Sequence, residues 1–235
     1  MDARALIRTM TNPFLDFIFP PVCISCNRIL SDGSQRVCES CWNSIRKITR
    51  DHPLYIETRT KLTESGVVHD LVSEFVFEKE GAFQHIAHAL KYSSYESIGL
   101  ELGRRVGARM KEWEIMADVL IPIPLHKAKQ RERGYNQAEL IARGISKATG
   151  IPVRTDIVRR RKHTQTQTQL SLDERRTNME EAFELAHPSH ADLREKICVL
   201  VDDVITTGAT INSCAQELVK GGATRILAAS AALAQ

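Results

Sequence analysis

The segment Val199–Thr210, VLVDDVITTGAT, places two adjacent carboxylates shortly before a loop rich in hydroxyl groups. An apolar run that ends in a turn containing glycine is typical of a buried strand leading into a helix. The turn supplies hydroxyl donors, and its glycine lets the backbone approach a ligand closely. Because free N–H groups at the start of a helix bind anions, the pattern predicts a phosphate cradle. Its members are Thr206, Thr207, Gly208, Ala209 and Thr210.

The two acids, Asp202 and Asp203, would repel a lone phosphate, so they indicate a ligand with a second kind of group. Carboxylates accept hydrogen bonds from vicinal ribose hydroxyls and attract Mg²⁺. A ribose phosphate, held by its 5′-phosphate in the loop and by its hydroxyls at the acids, explains both features. We therefore take both acids as candidate catalytic residues. One alternative is an ordinary strand–turn–helix with solvent-facing acids; a Walker B strand is disfavoured because the chain contains neither GxxxxGK[ST] nor GxGxxG.

Four of the six cysteines form two pairs, Cys23-x2-Cys26 and Cys38-x2-Cys41. Two such knuckles eleven residues apart fit four thiolates around a tetrahedral Zn²⁺. Four protein ligands leave no open coordination position, so the spacing predicts a structural zinc site. The alternative is a set of unligated thiols. Cys198 and Cys214 lie in apolar segments and are predicted to be core residues.

The remaining chain predicts alternating strands and helices. Apolar runs predict strands at 74–77, 118–124, 153–158, 197–201 and 226–234, and helical periodicity predicts helices at 81–113, 135–149 and 209–220. Apart from its one strand, the stretch 51–80 is interpreted as irregular. Strands that are apolar on both faces and alternate with helices indicate an α/β fold with a parallel sheet covered on both sides. We expect a zinc-binding module with a short leading helix in residues 1–50 and a larger domain in 51–235.

Bulk composition adds few constraints. The chain has 235 residues, 43% of them hydrophobic and 26% charged, with a net charge of +3. These values suit a packed globular protein and do not by themselves indicate nucleic acid. No apolar run reaches the length of a membrane-spanning helix, and the N-terminus does not resemble a signal peptide. Because no secretory signal is recognised, we expect a reducing compartment, in which the six cysteines would not form a disulfide framework. We therefore expect a cytoplasmic protein.

Two polar segments carry clustered cations. Residues 125–134, LHKAKQRERG, are interpreted as a basic loop after the strand at 118–124, where α/β sheets place ligands. The segment RRRKHTQTQTQ, residues 159–169, is polar and low in complexity. The first segment fits a diphosphate-binding loop, a solvated charged turn or a contact with nucleic-acid phosphates. The second fits a mobile linker or a contact with single-stranded nucleic acid.

LVDDVITTGAT closely resembles the phosphoribosyl-pyrophosphate (PRPP) motif of type I phosphoribosyltransferases. LIPIPLHKAKQRERGYNQAELIA, residues 120–142, resembles the ComF (competence protein F) branch of that superfamily. The resemblance continues through residues 159–169 to the end of the chain and includes the N-terminal cysteine pairs. Ile205 stands where the family often has tyrosine, which should not disturb a phosphate site built from backbone.

The resemblance implies a type I phosphoribosyltransferase-like fold that binds PRPP with Mg²⁺, and a role in DNA uptake during natural transformation. It assigns a pyrophosphate loop to His126, Lys127, Lys129, Arg131 and Arg133. It also assigns Arg160, Lys162 and Gln167 to a flexible loop that closes over PRPP and shields an oxocarbenium-like transition state. A helicase of the uptake machinery is the implied protein partner, and no acceptor for the ribosyl group is indicated.

An alternative comes from another functional class. The zinc module, the stretch SIRKITR at 44–50 and the two basic segments also fit an accessory factor that binds single-stranded DNA. In that interpretation the PRPP site is regulatory or non-catalytic.

Overall fold

The computed structural model describes residues 20–31, 36–92, 95–161, 182–186 and 193–235. Their helices are α1 (Glu39–Ser44), α2 (Pro53–Thr63), α3 (Ala82–Tyr92), α4 (Glu96–Glu112), α5 (Lys127–Arg133), α6 (Gln137–Thr149) and α7 (Ala209–Lys220). Their strands are β1 (Asp70–Val76), β2 (Val119–Pro122), β3 (Val158–Arg160), β4 (Phe183–Leu185), β5 (Ile197–Ile205) and β6 (Arg225–Leu233). The predicted short N-terminal helix lies outside the described residues.

Four strands form a parallel sheet in the order β1-β6-β5-β2. The central strands β5 and β6 are apolar along most of their length because both of their faces are covered, which confirms the predicted fold class. β3 and β4 pair antiparallel in a separate ribbon. Since β5 runs to Ile205, four residues beyond the predicted end, the two acids lie within the strand rather than after it.

Helices and the cysteine module cover the two faces of the sheet. One apolar core contains Phe83 of α3, Leu102 of α4, Ile141 of α6 and Trp42 of α1. The other contains side chains from α2, α7, β3 and β4. On the first face α4 and α6 pack so closely that a Cβ on Gly103 would lie 2.0 Å from the carbonyl oxygen of Ile141, which explains the glycine.

Three sequence-based expectations are wrong. The stretch 51–80 is not irregular: it contains α2, whose start is marked by a Pro53 in the first turn and by the His52 ring accepting the Leu54 N–H. The segment 125–134 is not a loop, because its Lys, Ala, Gln, Arg and Glu residues are strong helix formers and make α5. The strand expected at 153–158 is reduced to one bridge, between Val153 and Leu120, before β3 begins.

The cysteine module is joined to the sheet through residues 46–48. The Ile48 N–H donates to the Glu74 carbonyl, and the Val76 N–H donates to the Arg46 carbonyl, so this stretch lies antiparallel along the edge of β1. The Trp42 ring stacks on Phe75 of β1, with centroids 6.0 Å apart. The module therefore covers both the edge of β1 and part of its apolar face.

No helix among the described residues is both long and apolar enough to span a bilayer.

Candidate functional site

The four paired cysteines converge in space. Their sulfur atoms all lie within 4.8 Å of one another, and the Sγ atoms of Cys26 and Cys38 are 3.7 Å apart. Thiolates at about 2.3 Å from a tetrahedral zinc ion are separated by about 3.8 Å. The geometry therefore fits Zn²⁺ in a closed, structural site. Cys198 and Cys214 are buried elsewhere, in the core, as predicted.

The backbone around the cluster prepares it for a metal. Burial tends to raise the pKa of the Cys23 thiol, but hydrogen bonds from the N–H groups of Cys38, Cys26 and Ser25 outweigh burial and lower it. One of these is the Cys38 N–H, 3.4 Å from the Cys23 sulfur. N–H donors of this kind stabilise thiolates, which are the form that binds zinc.

The predicted phosphate loop connects β5 to α7. Its residues lie at the carboxyl end of a central parallel strand, where α/β sheets bind ligands. Among the described residues, the N–H groups of Thr206, Thr207, Gly208 and Thr210 have no hydrogen-bond acceptor, and that of Ala209 has only the Thr207 hydroxyl at 3.4 Å. Backbone donors are thus available to an anion.

Two features favour glycine at position 208: its backbone conformation and the close contact with a neighbouring side chain. Its φ is +77°, and a Cβ there would lie 2.5 Å from Cδ2 of Leu62, a fully buried side chain of α2. The loop conformation is therefore fixed by packing against α2, an element that does not belong to the β5–α7 unit.

We expect Gly208→Ala to destabilise the fold and to weaken phosphate binding. The left-handed conformation costs a residue with a Cβ about 1–2 kcal/mol, and the contact with Leu62 adds to that cost. Urea denaturation measures the loss of unfolding free energy. Gly66→Ala is the matched control, because Gly66 has φ +70° and nothing within 4 Å of its Cβ position. Equal losses in the two variants would show that the Leu62 contact is unimportant.

The carboxylates of Asp202 and Asp203 have different surroundings. The Oδ2 of Asp203 pairs with Lys91 Nζ of α3 at 3.1 Å. Asp202 lies close enough to Arg160 of β3 and to Cys214 of α7 for its charge to affect the pKa of both. The two acids therefore connect helices and strands from both sides of the sheet at one point, the end of β5.

Burial raises the pKa of Asp202 to about 8, and the charge of Asp203 adds to the rise. The Asp203 N–H, which donates to Asp202 Oδ1 at 2.8 Å, and the charge of Lys91 oppose it. At neutral pH the pair thus carries roughly one negative charge, as closely spaced carboxylates do. The positive charge of Lys91 balances that negative charge. The anion-binding site next to the two acids is therefore not strongly negative.

Lys91 was missed by the sequence analysis. It follows the apolar stripe of α3, where a lysine normally reaches into solvent, and it lies more than a hundred residues before Asp203. The helical stretch predicted at 81–113 contains five lysine and arginine residues, so the sequence did not distinguish Lys91 from the others.

The predicted pyrophosphate-loop residues are carried by α5, whose side chains are not buried. His126 caps the helix by accepting the Ala128 N–H, and Lys127, Lys129 and Arg131 are exposed. Arg133 instead turns inward: its Nη1 donates to Gln137 Oε1 at 3.0 Å, and its guanidinium lies 5.6 Å from the centre of the Tyr92 ring.

A cavity of about 650 Å³ separates α5 from the β3–β4 ribbon. Its walls include Lys127, Gln130, Arg160 and Glu184, so it connects the basic helix with the start of the predicted flexible loop. Arg160 lies over the Phe183 ring at 5.2 Å, and burial lowers its pKa against the opposing charge of Asp202. The other two residues predicted for the flexible loop, Lys162 and Gln167, lie outside the described residues.

These elements bring the phosphate loop, the acid pair, Lys91 and Arg160 to one end of β5. The cavity next to them is bordered by cations from α5 and β3. The zinc cluster belongs to a separate module, whose aromatic side chain packs on β1. The arrangement has the groups needed to hold a phosphate, a diol and a second anionic group side by side.

Two family models match the chain. The model described as "Double zinc ribbon domain" matches residues 14–53, and the model described as "Phosphoribosyl transferase domain" matches residues 132–234. The first contains the four cysteines. The second contains α6 and the whole β5–α7–β6 unit with its acid pair and loop, but it begins after α3 and β2.

Several bacteria contain proteins similar to this chain. "Competence protein F" of Haemophilus influenzae is 43% identical over 111 residues, which cover 47% of this chain and 48% of that protein. "DNA utilization protein YhgH" of Escherichia coli O157:H7 is 32% identical over 60% of this chain and 63% of that protein. "Competence protein ComFC" of Bacillus subtilis is 28% identical over 86% of this chain and 72% of that protein.

The alignments with the first two of these proteins thus span about half and just under two thirds of their lengths. Together with the two domain matches, these similarities show a chain with an N-terminal zinc ribbon domain and a phosphoribosyltransferase domain that is similar to the ComF competence proteins.

Proposed function

We propose that the carboxyl end of β5 binds PRPP together with Mg²⁺. The observation that carries the proposal is the joint position of the acid pair and of the loop with its unpartnered N–H groups on one strand–helix unit. A ligand with a 5′-phosphate and a vicinal diol about one sugar length apart would use both. A simple phosphate would leave the acids without a role.

Each part of the site would bind a different group of PRPP. The N–H groups of residues 206–210 would hold the 5′-phosphate, and Asp202 and Asp203 would accept hydrogen bonds from the ribose hydroxyls. Cations from α5 and β3 would face the diphosphate. Mg²⁺, which prefers carboxylate and phosphate oxygens, would neutralise part of the diphosphate charge next to the acids.

If the site is catalytic, pyrophosphate leaves C1 of the sugar and an acceptor takes its place. The positive charge that develops at C1 would be stabilised by the negative charge of the neighbouring acid pair, with most of the acceleration coming from positioning and electrostatics. The residues at the site do not single out an acceptor, so the proposal extends to binding and to pyrophosphate release.

The names of the similar proteins support a role of this chain in the use of incoming DNA during natural transformation. A helicase of the uptake machinery would be the protein partner in that role. This assignment belongs to the proposal, as does the PRPP site.

Isothermal titration of the full-length protein with PRPP and Mg²⁺ tests the site. We expect a single binding event that is lost, or weakened by about 100-fold, in the Asp202→Ala/Asp203→Ala double variant. Glu57→Gln, an exposed acid paired with Lys61, is the charge control. Equal affinities in the wild type and the double variant would overturn the proposal. Pyrophosphate release with a panel of bases and amines then separates turnover from binding alone.

A second candidate function, binding of single-stranded DNA, is favoured by the exposed cations Lys127, Lys129 and Arg131 of α5. The stretch 44–50 supports it less than its sequence suggested. Arg46 and Lys47 pair with acids at the end of β1, and Arg50 stacks on Trp113.

The salt dependence of DNA binding tests this candidate. Replacing the three exposed cations of α5 with glutamine is expected to reduce the slope of log K against log salt by about 2, since each lost single-strand phosphate contact removes about 0.7. Lys61→Gln and Arg143→Gln, whose cations pair with acids on their own helices, are the controls. An unchanged slope in the α5 variant would exclude α5 as the DNA contact.

A further inference from the structure

Lys91 forms an ion pair with one of the two acids, and it comes from outside the matched phosphoribosyltransferase segment. Its Nζ lies 3.1 Å from Asp203 Oδ2, and the two side chains are only 30% and 20% exposed. The matched segment begins at residue 132, after α3 has ended. Among the described residues, no other lysine or arginine makes an ion pair with either acid. The site is therefore completed by a helix that precedes the segment shared with other phosphoribosyltransferases.

The position of Lys91 is fixed by its neighbours in the chain. Leu90 is 1% exposed, and its carbonyl accepts the Tyr135 hydroxyl at 2.6 Å. Tyr92 lies against the Arg133 guanidinium. The last turn of α3 is thus held to the segment between α5 and α6 on both sides of Lys91. A lysine anchored in this way differs from a surface lysine that happens to reach an acid.

The residues packed against the last turn of α3 include donors that lack acceptors. Among the described residues, the Nε of Arg133 and the Nε2 of Gln137 are buried without a hydrogen-bond partner. Gln137 is 2% exposed, and its Oε1 already accepts from Arg133. Buried donors without acceptors are rare in folded proteins and require an explanation, such as a water, an ion or a ligand. Here they point to an acceptor-rich group near the end of α3.

The contact between Lys91 and Asp203 is also in competition with the proposed ligand. Asp203 cannot give the same lone pairs to a lysine and to ribose hydroxyls. An ammonium released from Asp203 remains tethered at the site, next to Tyr92 and Arg133. The Lys91 ammonium could turn toward an anionic group bound on that side at little cost in free energy, because a lysine side chain has several rotatable bonds and three donors.

We propose that, when the site is filled, Lys91 releases Asp203 and pairs with the diphosphate group of the ligand. Lys91 thereby selects a sugar phosphate with a diphosphate at C1 over the sugar monophosphate alone. This inference rests on the proposed function. It makes Lys91 a specificity-determining residue and places the diphosphate within reach of the last turn of α3.

The exchange predicts that ligands with a diphosphate are weakened and that a monophosphate is not. In Lys91→Gln, the affinities for PRPP and for pyrophosphate, each with Mg²⁺, should fall by about 10-fold or more, because a charge-assisted hydrogen bond is lost. The affinity for ribose 5-phosphate should stay unchanged or rise, because Asp203 is freed for the ribose hydroxyls. Lys91→Arg should restore part of the preference for PRPP.

Titrations of the full-length wild type, Lys91→Gln, Lys91→Arg and Lys61→Gln with the three ligands test the inference, with thermal unfolding as a check on folding. Lys61, on α2, pairs with Glu57 and serves as the charge-matched control. Equal weakening for all three ligands would show a merely structural role and overturn the inference, as would no change for any of them. If the wild type itself fails to bind PRPP, the proposed function fails; if it binds PRPP and Lys91→Gln is unaltered, only the role of Lys91 fails.

Discussion

Replacing Asp202 with asparagine is expected to make the folded protein more stable and PRPP binding weaker. In the wild type, burial and the neighbouring Asp203 raise the pKa of Asp202 to about 8, which means that its ionised form is disfavoured in the folded state. An amide of the same shape carries no charge and avoids this cost. An amide also cannot ionise when Mg²⁺ and PRPP bind, whereas the Asp202 carboxyl can then become a carboxylate that accepts from the ribose hydroxyls, so affinity should fall by about 10-fold or more.

The effect on stability has a defined dependence on pH. The pKa of Asp202 is higher in the folded protein than the value of 3.8 expected for the unfolded chain. Between these two values the folded state binds more protons than the unfolded state, so the free energy of unfolding contributed by this group decreases as the pH rises. The decrease should extend from about pH 4 to about pH 8 and amount to a few kcal/mol at most. Asp202→Asn should abolish it.

Urea denaturation at pH 5, 7 and 8.5 measures this dependence, and calorimetry with PRPP measures the accompanying loss of affinity. Glu57→Gln removes the same charge from an exposed ion pair on α2 and should change stability by less than about 1 kcal/mol at every pH. If Asp202→Asn were less stable than the wild type at pH 8.5, the partly buried Asp202 carboxyl would have to be contributing favourably as an anion. That result would contradict the surroundings described for it.

Sequence patterns were most informative where the chemistry is local. The four cysteines, the acid pair and the loop at 206–210 each lie within a few consecutive residues, and the residue types alone restrict what they can bind. The cysteine prediction is confirmed by converging sulfur atoms and by the zinc ribbon match. The parallel sheet is confirmed as well, because strands buried on both faces leave a continuous apolar run in the sequence.

The parts that escaped prediction depend on contacts between distant segments. Nothing near Lys91 indicates that it will meet Asp203, and nothing near Gly208 indicates that Leu62 of α2 will lie against it. α2 was overlooked because its buried positions, Leu54, Tyr55, Thr58 and Leu62, include a threonine and give little amphipathic contrast. The cationic segment 125–134 was interpreted as a loop from its charge, although helix propensity favoured α5. The roles of the site residues toward PRPP remain predictions.

Loss of the zinc ion is expected to have the largest effect on folding. Structural zinc contributes about 10–16 kcal/mol of apparent binding free energy in small modules of this kind, and this energy is available for folding. Here the module also covers part of the main sheet. Trp42 stacks on the fully buried Phe75 of β1, and residues 46–48 pair with the edge of the same strand. Removing the metal should therefore uncover β1 in addition to unfolding the knuckles.

Cys38→Ser is the sharpest test, because the Cys38 sulfur lies 3.7 Å from the Cys26 sulfur and the Cys38 N–H donates to the Cys23 sulfur. Zinc content should fall from one ion per chain to none, and the midpoint of urea denaturation should fall strongly. Emission from Trp42 should shift toward that of an exposed indole; a Trp113→Phe background isolates this signal, since the chain has two tryptophans. Cys198→Ala, a buried thiol outside the cluster, should keep its zinc and lose only a few kcal/mol at most. A Cys38→Ser protein that retains one zinc ion and wild-type stability would show that the cluster does not hold a structural metal. Any stabilisation of β1 by the module would then have to come from Trp42 and the edge pairing alone.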